Sequence, residues 1–243
     1  MPRGHPDYGQ AAPATTIGRV ADLGEIAVRL GSIVTADRRG EVVWMDDFEA
    51  AVLNKWVPTA QGTGSSVALT TANVRNGAQA VRLTAGSDGN RRAFVDHYQP
   101  LPAASRLGIE VSWCATQPIE SLVIDVDLAT GGATHSYQVI YRYTQQDLRV
   151  FDAAGGYTTV ATGISYNEIS TLFNVLKLVF DFAADTYVRL VWQSVEYDIS
   201  GVATYTEVSA AAPAYQIRIE VTGRAGSNDD IDVDDVILTQ NEP

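Results

Sequence analysis

The sequence predicts an all-β, antiparallel sandwich carried on an extended N-terminal arm, and three observations lead to that expectation. From about Val42 onward the apolar residues recur with a period of two, as strands that bury one face require. Glycine-rich breaks at Gly86-Ser87-Asp88-Gly89-Asn90, Gly131-Gly132 and Gly155-Gly156 cut this region into short segments. No long helix is legible, so about ten or more short strands must close on one another as a sandwich or barrel. A chain of 243 residues is long for one domain, but β-sandwiches of this size are commonly single. The expected division is an arm over 1–41 and a sandwich over 42–243.

The arm opens with a stretch to about Thr16 that is rich in Pro, Gly, Ala and Thr and lacks the periodicity to build a core. From Ile17 to Val43 apolar residues are irregularly spaced and glycines disfavour a long helix. A short helix or extended segments packed on a neighbour are expected, with a flexible tail as the alternative. Ile26, Val28, Leu30 and Ile33 are too apolar for comfortable exposure and form the predicted assembly interface. The opening residues lack the apolar core of a secretory signal, which implies synthesis in the cytoplasm. No run approaches the roughly 18 apolar residues of a membrane helix.

Within the sandwich the alternation is clearest in Leu107-Gly108-Ile109-Glu110-Val111-Ser112-Trp113 and in Tyr215-Gln216-Ile217-Arg218-Ile219-Glu220-Val221-Thr222. In the second, Tyr, Ile, Ile and Val point inward while Gln, Arg, Glu and Thr are expected to face water. Residues 173–200 read as consecutive antiparallel strands broken at Ala183-Ala184-Asp185 and Gln193-Ser194, with Leu176, Leu178, Phe180 and Phe182 sharing a face. Further strands are expected near 79–84, 92–98, 121–128, 135–143 and 231–239. Both sheets are expected to keep one wet face.

Seventeen basic and 29 acidic residues give a net charge of −12. Residues 1–45 are balanced, so the deficit belongs to the sandwich, which argues against nucleic-acid binding because such affinity rests on Lys and Arg contacts to phosphate. The one cysteine, Cys114, excludes an internal disulfide and a cysteine zinc framework and reads as inert strand filler.

Two segments bracket the sandwich: Trp44-Met45-Asp46-Asp47-Phe48-Glu49 with Trp56 at its start, and Ile231-Asp232-Val233-Asp234-Asp235-Val236-Ile237-Leu238 at its end. Together they resemble the jelly rolls of carbohydrate-binding modules. That resemblance implies that the two segments lie side by side and that Glu49, Asp234 and Asp235 hold a structural calcium. The simpler reading is an acidic loop entering the last strand, because adjacent carboxylates on a strand point to opposite faces. The stretch Asn174 to Phe182, followed by Tyr187-Val188-Arg189-Leu190, resembles phage-encoded lectin-like sandwich proteins, and Met1 to Tyr8 is similar to the starts of uncharacterised virion proteins. This implies a surface decoration subunit of a capsid or tail, located in the virion. Its partners would be copies of itself, with threefold symmetry suggested, and the major capsid or tail protein.

Asp125 and Asp127 alternate with Ile124, Val126 and Leu128, so both carboxylates share the outward face about 7 Å apart. Such a pair could serve glycoside hydrolysis, but the Glu-x-Asp-x-Glu and Glu-x-Asp-x-x-Glu strands of lectin-like glycosidases are absent, and a solvated face is the plainer reading. His5, His97 and His135 form no zinc helix, and no nucleophile elbow or phosphate loop occurs. Trp56, Tyr98, Tyr137, Tyr141, Tyr143 and Trp192 are candidates for a sugar platform, although Tyr137, Val139, Tyr141 and Tyr143 form a stripe that more often packs a core. The expectation is therefore a jelly-roll or lectin-like sandwich acting as a non-enzymatic virion structural protein. A carbohydrate-binding module, with a glycan as partner, is the alternative, and a sandwich glycosidase stands behind it.

Overall fold

The computed structural model describes residues 36–37, 39–88, 91–101, 106–170 and 172–243. The predicted interface residues Ile26, Val28, Leu30 and Ile33, and His5, lie outside them. In chain order the strands are β1 (Glu41–Asp46), β2 (Val57–Gln61), β3 (Ser66–Thr70), β4 (Ala80–Thr84), β5 (Arg92–Gln99), β6 (Arg106–Cys114), β7 (Ser121–Ala129) and β8 (Ala133–Arg142). They continue as β9 (Asp147–Phe151), β10 (Tyr157–Thr162), β11 (Asn174–Asp181), β12 (Thr186–Trp192), β13 (Val195–Asp198), β14 (Tyr205–Val208), β15 (Ala214–Thr222) and β16 (Asp230–Gln240).

The strands form two antiparallel sheets of eight. The first runs β13-β12-β11-β6-β16-β4-β3 with β1 also on β16, and the second runs β10-β9-β8-β7-β15-β5-β2 with β14 also on β8. The expected all-β sandwich is the fold. The two bracketing segments do lie side by side, with Trp44 opposite Leu238 and Asp46 opposite Val236.

The core is the set of inward residues that alternation predicts. Leu122, Ile124, Val126 and Leu128 of β7 and Tyr215, Ile217, Ile219 and Val221 of β15 face Ile109, Val111 and Trp113 of β6 and Leu176, Leu178 and Phe180 of β11, all buried. Tyr137 stacks on Phe180 with centroids 4.1 Å apart, and Tyr141 on Trp192 at 4.9 Å. Tyr137 and Tyr141 are thus core, as are Trp56 and Trp192; of the remaining candidates for a sugar platform, Tyr143 packs half-buried against the core and Tyr98 is 53% exposed. Cys114 is buried, and burial with the nearby Asp232 charge pushes its thiol up to about 12, which makes it inert at neutral pH.

The expectation of a wet outer face on both sheets is corrected in the first sheet. Glu110, Ser112, Lys177, Arg189, Asp232 and Asp234 point away from the core yet are buried. Ala36, Asp37, Arg39 and the C-terminal residues cover Glu110, Lys177 and Arg189, while Asn73, Arg75 and Asn76 of the loop between β3 and β4 cover Ser112, Asp232 and Asp234. Glu110 accepts hydrogen bonds from the Ala36 and Asp37 amides at 2.6 and 3.2 Å, and Lys177 Nζ donates to the Arg39 carbonyl at 3.1 Å. Lys177 Nζ also lies 2.7 Å from Glu242 and 3.3 Å from Asp37. Gly108 leaves the room this pair needs, since a Cβ there would stand 2.5 Å from Thr239 Oγ1 and 2.9 Å from Glu242 Oε1. The start and end of the described chain are thereby fastened to the same face.

Candidate active site on the outer face of the second sheet

The register of β5, β15, β7 and β8 decides which polar residues meet on the outer face of the second sheet. Arg218 lies opposite Asp125 on one side and Asp96 on the other, Glu220 opposite Val123, and Gln138 opposite Asp125. These strands, with β10 beyond them, form a groove of about 340 Å³ walled by Arg92, Asp125, Gln138, Tyr157, Arg218 and Glu220 among others.

Arg218 is fixed at the centre. Its Nε and Nη2 donate to the two oxygens of Asp96 at 2.8 and 3.1 Å, and its guanidinium lies 4.1 Å from the centroid of Phe94. This bidentate pairing raises the pKa of Arg218, keeping it cationic. Asp125 sits beside it under opposite pressure. Burial and then the charge of Asp127 push its carboxyl up to about 7, against the pull of Arg218 and a hydrogen bond from Gln138. Its Oδ1 is buried with no hydrogen-bond partner among the described residues. Asp127 is also raised by burial, though it accepts a 2.5 Å hydrogen bond from Ser136. Glu220 is buried and raised for the same reason, opposed by Arg92, 3.6 Å away, and by Arg218. Tyr157 donates its hydroxyl to Gln138 Oε1 and remains 41% exposed.

The solvated face expected for Asp125 and Asp127 is therefore one on which both carboxylates are partly withdrawn from water, with Asp125 in the wall of the groove. Glu220, expected to face water, is buried. A carboxyl near neutrality beside an ionised acid and a fixed cation can hold a proton at pH 7 and give it up to a bound oxygen. Sequence reasoning found Asp125 and Asp127 but not Gln138, Tyr157, Arg218 or Glu220 as their companions. The strand register that joins them has no local signal, and β10, which supplies Tyr157, carries few apolar residues.

The predicted calcium ligands meet a different fate. Glu49 Oε1 accepts from the Ala78 and Gln79 amides at 2.7 and 2.8 Å, and Asp234 Oδ2 from the Arg75 and Asn76 amides at 2.9 and 3.2 Å. Asp235 occupies a β-bulge with φ of 52° and lies 3.2 Å from Arg75 Nη1. All three acids anchor the loop between β3 and β4. The N–H donors aimed at these oxygens stand where a cation would have to bind, and no group of three or more His, Cys, Asp or Glu residues is placed to hold a metal among the described residues, so this donor set does not fit a calcium cage. His97 is spent on structure, stacking on Trp44 at 4.1 Å with Nδ1 2.8 Å from the Lys55 carbonyl. His135 lies 2.7 Å from Asp185.

No protein-family model and no curated protein sequence matches the chain. Among solved structures it is similar to an endo-β-1,4-glucuronan lyase from the fungus Trichoderma reesei, with a TM-score of 0.59 and 14% identity over 82% of this chain and 96% of that one. It is also similar to a carbohydrate esterase from the Shiga toxin-encoding bacteriophage phi24B (0.51, 14%, 76% and 90%) and to peanut lectin (0.51, 12%, 82% and 96%). At these identities the likeness establishes the jelly-roll, lectin-like fold. The expectation of a non-enzymatic protein is corrected: two of these three sandwiches are enzymes, so the architecture does not argue against catalysis. No described helix is long and apolar enough to cross a membrane.

Proposed function

We propose that the chain binds a glycan along the groove of the second sheet and cleaves it, with Asp125 as the proton donor. The observation that carries this reading is the Asp125 carboxyl, raised to about 7 by burial and by Asp127, with Oδ1 lacking a hydrogen-bond partner among the described residues in a groove of saccharide size. Protonated Asp125 gives its proton to the glycosidic oxygen as the C–O bond breaks. A water attacks the sugar carbon and loses its proton to Glu220, completing hydrolysis. Arg218 favours the ionised forms of Glu220 and Asp127, against the burial that raises both.

The test is incubation of the full chain with neutral and acidic polysaccharides, read as new reducing ends across pH. A bell-shaped rate is expected. Its alkaline limb falls through about pH 7 as Asp125 loses its proton, and its acid limb falls as Glu220, raised above the usual carboxylate range, gains one. No product on any polysaccharide would remove the reading, and an unsaturated product would replace hydrolysis by elimination while keeping the proton donor.

A second reading, placement on the surface of a phage capsid or tail as a homo-oligomer, is favoured by where the arm departs. Ala36, Asp37 and Arg39 are held on the outer face of the first sheet, opposite the groove, so an arm held by a shell would leave the groove facing outward. Light scattering of the full chain is expected to give a discrete oligomer, and Leu30→Asp a monomer. A monomeric full chain contradicts self-assembly through the arm.

A further inference from the structure

One end of the groove reverses the charge of the protein. Arg91, Arg142 and Arg224 line a hollow of about 320 Å³ in which Glu120 is the one acidic residue among the described lining residues, in a chain of net charge −12. Ser121 and Ile140 wall both this hollow and the Asp125 groove, so the two are continuous.

Each guanidinium is fixed along one edge. Arg142 donates through Nε and Nη2 to Asp147 at 2.9 and 2.6 Å, and Arg224 through the same two groups to Asp229 at 2.9 and 2.8 Å. Arg91 donates through Nε to the Gly223 carbonyl at 2.8 Å and through Nη2 to Glu120 at 3.1 Å. In all three, Nη1 makes no hydrogen bond among the described residues. Each side chain remains between a quarter and two-fifths exposed. Three oriented cations that each keep open donors in one hollow suit a carboxylate, which accepts hydrogen bonds on both oxygens.

We infer that this end of the groove is a subsite for the carboxylate of an acidic sugar, so that the glycan taken by the groove contains uronic acid residues. The inference rests on the glycan reading above. From Ser121, at the arginine end, to Asp125 the strand β7 advances about 13 Å, the scale of a short oligosaccharide. A carboxylate held by the arginines would thus leave a glycosidic oxygen further along within reach of Asp125. Nucleic acid fits less well, because its dense phosphates would run from the arginines onto Asp125, Asp127 and Glu220.

The test is calorimetric titration of the full chain with oligoglucuronate and oligogalacturonate against cello- and laminari-oligosaccharides of equal length. A single-stranded oligonucleotide serves as a polyanion control. Acidic oligosaccharides are expected to bind about tenfold more tightly than neutral ones, the scale of one charge-assisted hydrogen bond. Arg91→Gln, whose partner Glu120 is half exposed, should erase that preference without changing the melting temperature. Arg142→Lys, which keeps the charge but loses the fork, should weaken it. Equal affinity for neutral and acidic sugars, or a preference untouched by Arg91→Gln, overturns the subsite but leaves the groove's glycan role standing. Absence of binding to every oligosaccharide removes both. An oligonucleotide bound as tightly as the uronates overturns the sugar assignment.

Discussion

Asp125→Asn is expected to abolish measurable glycan cleavage and at the same time to make the protein more stable at pH 8. The first effect follows from the loss of the only proton that Asp125 can supply, and general acid catalysis is worth about a hundred- to ten-thousandfold in rate. The second follows from the sign of the pKa shift. The folded state binds the Asp125 proton more tightly than the unfolded chain, whose carboxyl titrates near 3.8. Between about pH 4 and pH 7 the folded protein keeps a proton that the unfolded chain has lost, so stability falls as pH rises through that window. Above it the ionised, half-buried carboxylate is a standing penalty, which asparagine removes. Because Asp125 and Asp127 titrate together, the gain is on the order of 2 kcal/mol rather than the full shift. A variant that loses activity and stability together would point to a structural role for Asp125.

Glu242→Ala is expected to produce the largest loss of stability of any single change considered. Glu242 lies two-sided between Lys177 Nζ, at 2.7 Å, and Arg189 Nη2, and its side chain is wholly buried along with that of Lys177. Removing one partner of a buried ion pair leaves uncompensated charge out of water, which costs about 3–5 kcal/mol. For a chain of this size that is a fall in melting temperature of roughly 10 °C. The same change should loosen Ala36, Asp37 and Arg39, because Lys177 also holds the Arg39 carbonyl and Asp37. Thermal unfolding, with hydrogen exchange at Ala36 and Asp37, checks both effects. A loss under about 1 kcal/mol would mean that water already reaches these charges.

The strands that were legible in the sequence are those in which one face alone must be apolar. β7, β8 and β15 sit in the middle of the second sheet, and their inward residues announce themselves by strict alternation. β2, β3, β10 and β14 were not legible, because they are short and half-exposed at the rims and offer few apolar positions. The outer face of the first sheet was misread for another reason. Glu110 and Lys177 occupy alternate, polar positions that look solvent-facing, and the return of Ala36, Asp37, Arg39 and Glu242 from distant parts of the chain removes them from water. The candidate site divides in the same way. Asp125 and Asp127 share a strand and were visible as a pair. Arg218, Glu220, Gln138 and Tyr157 join them through pairing across 13 to 95 residues, which local pattern does not encode.

The proposed chemistry requires Asp125 to hold its proton up to neutral pH within the groove. Carboxyl-carbon NMR of the full chain, with the Asp125 signal assigned by its absence in Asp125→Asn, measures this directly and needs no knowledge of the substrate. A titration midpoint near 7 is expected, coupled to that of Asp127 and shifted when an acidic oligosaccharide fills the groove. A midpoint near 4, unmoved by any oligosaccharide, would show an ordinary solvated carboxylate with no proton to give and would contradict the proposed chemistry.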